Sequence, residues 1–122
     1  MTIFQKSLPV QNCGVVVRDS QHDDPLFIAR EDVIASGRYG VNISCKPDSD
    51  GETSIIAGPK TDVQPDLVLV FNGTIGTPSR KIKVETILRT PIFEIDVGSD
   101  VIKLSVWTDG HPGTERITIG IG

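Results

Sequence analysis

Two histidines are the first candidates for chemistry, because His is the side chain that most often serves as a general base near neutral pH. His22 lies among the carboxylates of segment 19–24, which would favour its protonated form and orient the ring. That pattern suits a His–carboxylate dyad or a metal site, although polar residues between strands are more often simply solvated. His111 lies between Gly110 and Pro112, which already explain its segment as a turn.

No nucleophile or phosphate-binding loop accompanies these histidines. The chain has no G-x-S-x-G elbow, and the glycine-containing segment 72–77 is followed by residues typical of strands rather than of a helix. Cys13 and Cys45 lie in strand-like runs without a CxxC spacing, so both are predicted to be buried core thiols. If their strands were neighbours in an oxidising compartment, the two could form a disulfide. We therefore predict no catalytic residues and no cofactor, and an enzyme is the less favoured interpretation.

Acidic turns offer an alternative, a calcium site. The segment 48–52 alternates carboxylates around Gly51, as the start of a calcium loop does, but it lacks the later bidentate Glu of an EF-hand. Loops of some β-sandwiches gather calcium from several turns, and the candidate ligands here are Asp23, Asp24, Asp48, Asp50 and Asp109. Acidic turns are also expected of any β-rich protein with a sequence pI near 5.0, and this is the favoured interpretation.

Large apolar residues are the remaining candidates, because such side chains often anchor interfaces. Trp107 falls on the opposite face of its strand from Ile102, Leu104 and Val106, so it is an interface residue if that face is exposed and a core residue if a second layer covers it. The same choice applies to Leu67, Leu69 and Phe71. These four residues are the predicted binding candidates.

The elements that must position these residues are strands. Fifteen Ile and 13 Val stand against six Leu and three Ala, and β-branched side chains favour a pleated surface over a helix. Twelve Gly and eight Pro supply turns, and alternating or wholly apolar runs recur every ten to fifteen residues or so. The sequence therefore predicts an all-β fold, an antiparallel β-sandwich of about eight or nine strands, over residues 1–122 as a single domain.

Particular strands follow from these runs. Segment 14–19 is predicted to be covered on both faces, and the strand 39–46 to form a hairpin with 52–57. Segment 67–71, apolar on both faces, is the predicted central strand, and the lysines of 80–85 favour an edge strand. Three further strands are expected at 92–97, 101–108 and 116–121. For the ambiguous segment 24–37 we favour a strand at 25–29 and a short helical turn at 31–36.

Charge and composition restrict the partners. The net charge of −4 is spread evenly, with eight acids and six bases in each half of the chain, so a nucleic-acid partner is disfavoured. No secretory or membrane-spanning segment is evident, which predicts the cytoplasm. In general character, an acidic β-domain without a catalytic constellation is similar to small bacterial immunity and nuclease-inhibitor proteins. That resemblance implies a non-catalytic domain that binds another protein, with a calcium- or carbohydrate-binding sandwich as the alternative. An exposed edge strand after residue 80 would also allow a homo-oligomer.

Overall fold

The chain folds into two facing β-sheets in the computed structural model, which describes residues 2–24, 27–29 and 31–122. Its strands in chain order are β1 (Phe4–Leu8), β2 (Gly14–Asp19), β3 (Ile34–Ser36), β4 (Gly40–Ser44), β5 (Thr53–Pro59), β6 (Val68–Gly76), β7 (Lys81–Thr86), β8 (Pro91–Asp96), β9 (Val101–Thr108) and β10 (Arg116–Ile121). The first sheet has the order β1-β5-β10-β9-β6, and the second has the order β3-β4-β2-β7-β8. The predicted all-β sandwich is confirmed, with ten strands in the described ranges instead of eight or nine.

The core lies between the sheets and consists almost wholly of β-branched residues. Alternation places Val15 and Val17 of β2 opposite Val41 and Ile43 of β4, and all four are fully buried. The first sheet contributes alternating residues from three of its strands: Ile55, Ala57, Ile102, Leu104, Val106, Ile117 and Ile119. The inward face predicted for 101–108 and the burial predicted for the last strand are both confirmed. Both faces of β2 are covered, because Val16 on the outer face is only 8% exposed.

Two predictions about strand position are wrong. The run 67–71 is not a central strand, because β6 forms one edge of the first sheet. The lysine-containing β7 is not an edge strand, because it pairs with β2 on one side and β8 on the other. The apolar pattern of β6 misled because its two faces meet different surroundings: Phe71 packs against the core, whereas Leu69 on the other face is 47% exposed. A strand with apolar residues on both faces, such as β6, can therefore still lie at the edge of a sheet, with a partner strand on one side only.

The predicted hairpin is also wrong. β4 pairs with β2 and β3 in the second sheet, whereas β5 pairs with β1 and β10 in the first. The turn-like segment after Cys45 therefore carries the chain from one sheet to the other. One pairing, β5 with β10, is parallel, so the sandwich is antiparallel except at this pair. The spacing between two alternating runs cannot distinguish a hairpin from a connection that crosses between two sheets, because both connections need the same turn residues.

Segment 25–36 also departs from expectation. Pro25 and Leu26 of the predicted strand 25–29 lie outside the described residues, and 27–29 have no regular structure. The helical turn predicted at 31–36 is wrong, because Ile34–Ser36 form β3. Ile34 pairs with Ile43 and packs against the core, and this tertiary contact outweighs the weak helical pattern.

A short helix covers one outer face. The helix α1 (Lys60–Val63) follows β5 and lies against β10, where the Lys60 backbone and the Trp107 ring both approach Gly120. Trp107 is consequently 5% exposed although it points away from the core. In the described part of the chain, no helix is long and apolar enough to cross a membrane.

Candidate functional site

Strand connections from both sheets gather at one end of the sandwich. β1, β4 and β9 end there, and β2, β5 and β10 begin there. The Lys46 backbone N–H donates to the Thr114 carbonyl at 3.0 Å, the Gly113 N–H donates to the Ser44 hydroxyl at 3.1 Å, and the Ser44 N–H donates to the Val33 carbonyl at 2.9 Å. These bonds tie segments 31–33, 45–52 and 109–115 into one surface, which we call the acidic end.

The loop 109–115 is held in a fixed shape by its own side chains. Thr114 is fully buried, and its hydroxyl donates to the Asp109 carboxylate at 2.8 Å while it accepts the Asp109 backbone N–H at 3.0 Å. The same carboxylate accepts the Glu115 backbone N–H at 3.2 Å. Gly110 and Gly113 take left-handed backbone angles, with φ of 89° and 78°. The loop therefore presents a rigid surface, as a preorganised interface requires.

The acidic end is strongly negative in charge. Its three segments carry seven carboxylates against a single lysine: Glu31, Asp32, Asp48, Asp50, Glu52, Asp109 and Glu115 against Lys46. Two further cations lie at this end, Arg116 at the start of β10 and Arg89 in the connection after β7. All of these acids except Asp109 are exposed, and Lys46 is already paired with Glu115 at 3.2 Å. Charges nearly balance at the opposite end, where the described segments carry five exposed or half-buried carboxylates and four bases. These segments are 20–24, 36–39, 60–63, 77–81 and 96–100.

A shallow groove of about 460 Å³ opens at the acidic end. It runs between Pro47 and Pro112, and Cys13, Ser44 and Cys45 are among the residues that line it. Cys45 is buried as predicted. The prediction of a buried Cys13 is wrong, because Cys13 is exposed. Cys13 leaves the extended conformation just before β2, with φ of 56°, and this turn places it at the surface.

The opposite end contains the Asp19 carboxylate, which is fully buried. It accepts the Ser79 hydroxyl at 2.6 Å, His22 Nδ1 at 2.7 Å, and the backbone N–H groups of Ser79 and Gln21 at 3.1 Å each. Burial alone would raise its pKa, but the bonds from Ser79, His22 and Gln21 outweigh burial and lower the pKa of Asp19.

Ser79, His22 and Asp19 are the three kinds of residue found in a hydrolase triad, but they are bonded in a different order. In a Ser-His-Asp triad the imidazole lies between the hydroxyl and the carboxylate. Here the carboxylate lies between them, so the Ser79 hydroxyl donates to Asp19 and receives no activation from His22. The His22 ring stacks on Tyr39 with centroids 4.4 Å apart. The dyad imagined from the sequence therefore forms, and its geometry is that of a structural support for the turn after β2.

The predicted binding residues are not brought together as one exposed surface. Trp107 is buried beneath α1, Leu67 and Phe71 are half-buried, and Leu69 alone of the four is exposed. The second-layer alternative for Trp107 is therefore the one the structure adopts. Leu69 and the neighbouring Val68 are 47% and 52% exposed on the edge strand β6.

The candidate calcium ligands are divided between the two ends. Arg89 binds the Asp23 carboxylate through both oxygens at 2.7 and 2.6 Å, and Asp24 accepts the Tyr39 backbone N–H at 2.6 Å. The other three, Asp48, Asp50 and Asp109, lie at the acidic end. Among the described residues no group of three or more His, Cys, Asp or Glu side chains is placed to hold a metal ion. The five candidate ligands are therefore not gathered at one site.

Arg89 also belongs to a second buried network. The Glu85 side chain is 4% exposed and accepts Arg18 at 3.0 Å and Arg89 at 2.9 Å. Burial would lower the pKa of Arg89, but Glu85 and Asp23 outweigh it and raise the pKa. The network joins β2, β7 and the segment after β2, so it fixes the outer surface of the second sheet.

Comparison with known proteins finds similarity at the level of fold. No protein-family model matches the chain, and no curated protein is similar to it in sequence. A solved structure matches the chain in its β-rich fold. That structure is ComJ from Bacillus subtilis, described as an inhibitor of the DNA-degrading activity of NucA. The TM-score is 0.70 at 10% identity, and the match covers 99% of this chain and 98% of ComJ. At this identity the likeness establishes a shared fold.

Proposed function

We propose that this protein is a protein-binding inhibitor whose partner degrades nucleic acid, and that it binds this partner through the acidic end. The observation that carries the proposal is the charge of the acidic end, whose three segments hold seven carboxylates against one lysine. An enzyme that degrades nucleic acid must present cations to phosphates. A rigid surface of carboxylates matches such cations and competes with the nucleic acid for them.

The ComJ fold supports the same proposal. ComJ inhibits a DNA-degrading protein, and the two chains match over nearly their whole lengths. The absence of an activated nucleophile at the Asp19–His22 pair also favours a binding role over a hydrolytic one. The groove lined by Pro47 and Pro112 offers the partner an apolar contact beside the charged segments.

The proposal is tested with two variants that change net charge equally. The acidic-end variant combines Asp48→Asn, Asp50→Asn, Glu52→Gln and Glu115→Gln. The control variant combines Asp62→Asn, Glu94→Gln, Asp96→Asn and Asp100→Asn, which are exposed acids away from the acidic end. Each set removes four negative charges, so any effect of net charge on solubility or non-specific adsorption is shared.

The chain and both variants are immobilised and used to capture protein from the native host at low and high salt. We expect the unmodified chain and the control variant to retain one partner in stoichiometric amount, and the acidic-end variant to lose it. The partner should degrade DNA or RNA when it is released. Equal capture by both variants would contradict the assigned surface, and a partner without such activity would contradict the assigned function.

A further inference from the structure

Cys13 and Cys45 occupy opposed positions at the join of β2 and β4. The Cys45 backbone N–H donates to the Cys13 carbonyl at 3.0 Å, one step beyond the register pair Gly14 and Ser44. Opposed, hydrogen-bonded residues of an antiparallel pair have Cα atoms about 5.5 Å apart. This separation lies within the range of about 4.4–6.8 Å that a disulfide spans. The backbone hydrogen bond therefore brings the two residues close enough for a disulfide once Cys13 takes the extended conformation of the strand.

Only the conformation of Cys13 keeps the two side chains apart. Alternation along β2 puts Val15 and Val17 inward, so an extended residue 13 would also point inward, beside Cys45. Instead Asn12 and Cys13 are consecutive left-handed residues, with φ of 62° and 56°. L-amino acids other than Asn, Asp and Gly populate this region sparsely, and such residues cluster at sites that switch. A return of Cys13 to the extended conformation would carry its sulfur toward the core.

Access and reactivity differ between the two thiols. Cys13 is exposed and lines the groove of the acidic end, so a small molecule in solution can reach it. Cys45 is 1% exposed, and burial raises the pKa of its thiol to about 11. Since the thiolate is the attacking form, Cys13 reacts first and Cys45 can only follow.

We propose that Cys13 and Cys45 form a thiol–disulfide exchange site that takes a low-molecular-weight disulfide such as oxidised glutathione. The Cys13 thiolate attacks one sulfur of the glutathione disulfide, so a mixed disulfide forms on Cys13 and one glutathione thiolate leaves. The Cys45 thiolate then attacks the Cys13 sulfur, which closes the protein disulfide and releases the second glutathione. Two protein thiols are oxidised, one glutathione disulfide is reduced, and both protons go to solvent or to the released thiolates.

The site goes beyond the proposed inhibitor function and does not depend on it. Closing the bond would draw Cys13 out of the groove between Pro47 and Pro112 and would change the shape of that surface. Oxidation of the two cysteines would therefore give the acidic end a second conformation, whatever partner binds there.

The test is exchange with oxidised glutathione, followed by intact-mass measurement and titration of free thiols. For the full chain we expect loss of both thiols, a mass decrease of two hydrogens and a proteolytic peptide that links residues 13 and 45. Cys45→Ala should stop with one glutathione attached at Cys13, and Cys13→Ser should remain unmodified. Closure of the full chain should accelerate about tenfold per pH unit between pH 8 and 10, as more of Cys45 ionises.

Three results would overturn the site. One is a full chain that carries glutathione on Cys13 for hours at pH 9 and never closes. Another is a disulfide that links two copies of the chain. The third is closure that shows no dependence on pH, because the buried Cys45 thiolate would then not be the attacking group. Circular dichroism of Cys45→Ala shows whether that variant is folded; if it is not, the mass and pH measurements on the full chain still decide.

Discussion

Replacing the buried carboxylate of Asp19 should be one of the most destabilising conservative changes in the described chain. Asp19→Asn keeps the shape but leaves one acceptor oxygen for two backbone N–H groups and the groups donated by Ser79 and His22. The amide nitrogen must then face one backbone N–H, from Gln21 or Ser79, and neither can rotate away. Losing hydrogen bonds to a charged group costs about 1.5–3 kcal/mol, so we expect unfolding free energy to fall by about 2–4 kcal/mol.

The assay is urea unfolding followed through Trp107, the single tryptophan, which is 5% exposed. Asp96→Asn is the matched control, because the Asp96 side chain is 81% exposed and should change stability by less than about 0.5 kcal/mol. The folded pKa of Asp19 is lowered, so its contribution is present above the unfolded value near 3.9 and is lost as pH falls through the folded pKa. The gap between wild type and Asp19→Asn should therefore narrow in acid. A gap below about 0.5 kcal/mol at pH 7 would refute the reasoning.

Two further changes test how the sheets are fixed. Glu85→Gln should lower the unfolding free energy by about 1.5–3 kcal/mol, because Arg18 and Arg89 lose a charged hydrogen-bond acceptor while Arg89 keeps its pair with Asp23. Glu94→Gln removes only an exposed contact to Lys81 and should cost less than about 0.5 kcal/mol. Equal effects of the two changes in chemical denaturation would contradict this. Gly120→Ala should destabilise by about 1–3 kcal/mol and shift Trp107 emission to longer wavelength, because the new methyl would lie 2.8 Å from the ring; unchanged fluorescence and melting temperature would show that the contact can relax freely.

The strands were predictable from the sequence to the extent that local pattern determines them. The inward faces of β4 and β9 follow from alternation, because apolar residues two positions apart share one face. The continuous apolar run of β2 likewise indicated that both of its faces are covered. The pairing of strands was not predictable in the same way. β4 and β5 have the pattern of a hairpin, yet they lie in different sheets, and β5 pairs with β1 and with the distant β10. Such long-range pairing depends on which apolar faces meet, and the local pattern of residues does not reveal it.

The acidic end was hidden from sequence reasoning for a topological reason. Each half of the chain carries eight acids and six bases, so charge appears evenly spread along the sequence. Both halves contribute loops to both ends of the sandwich, and the acids at 48, 50, 52 and 115 meet only after folding. Trp107 misled in the opposite way, because its outward position indicated an interface and the four-residue helix α1 covers it. An exposed Cys13 was equally unpredictable, since its left-handed φ interrupts an apparently regular strand.

The most direct test of the proposed function is a titration of this chain into a nucleic-acid degradation assay of the partner it captures. The account predicts that one equivalent of the chain or of the four-acid control variant abolishes degradation at low salt. The acidic-end variant should need at least about tenfold more protein, a loss of roughly 1.4 kcal/mol in binding. Degradation that continues unchanged in the presence of a saturating complex would contradict the central claim.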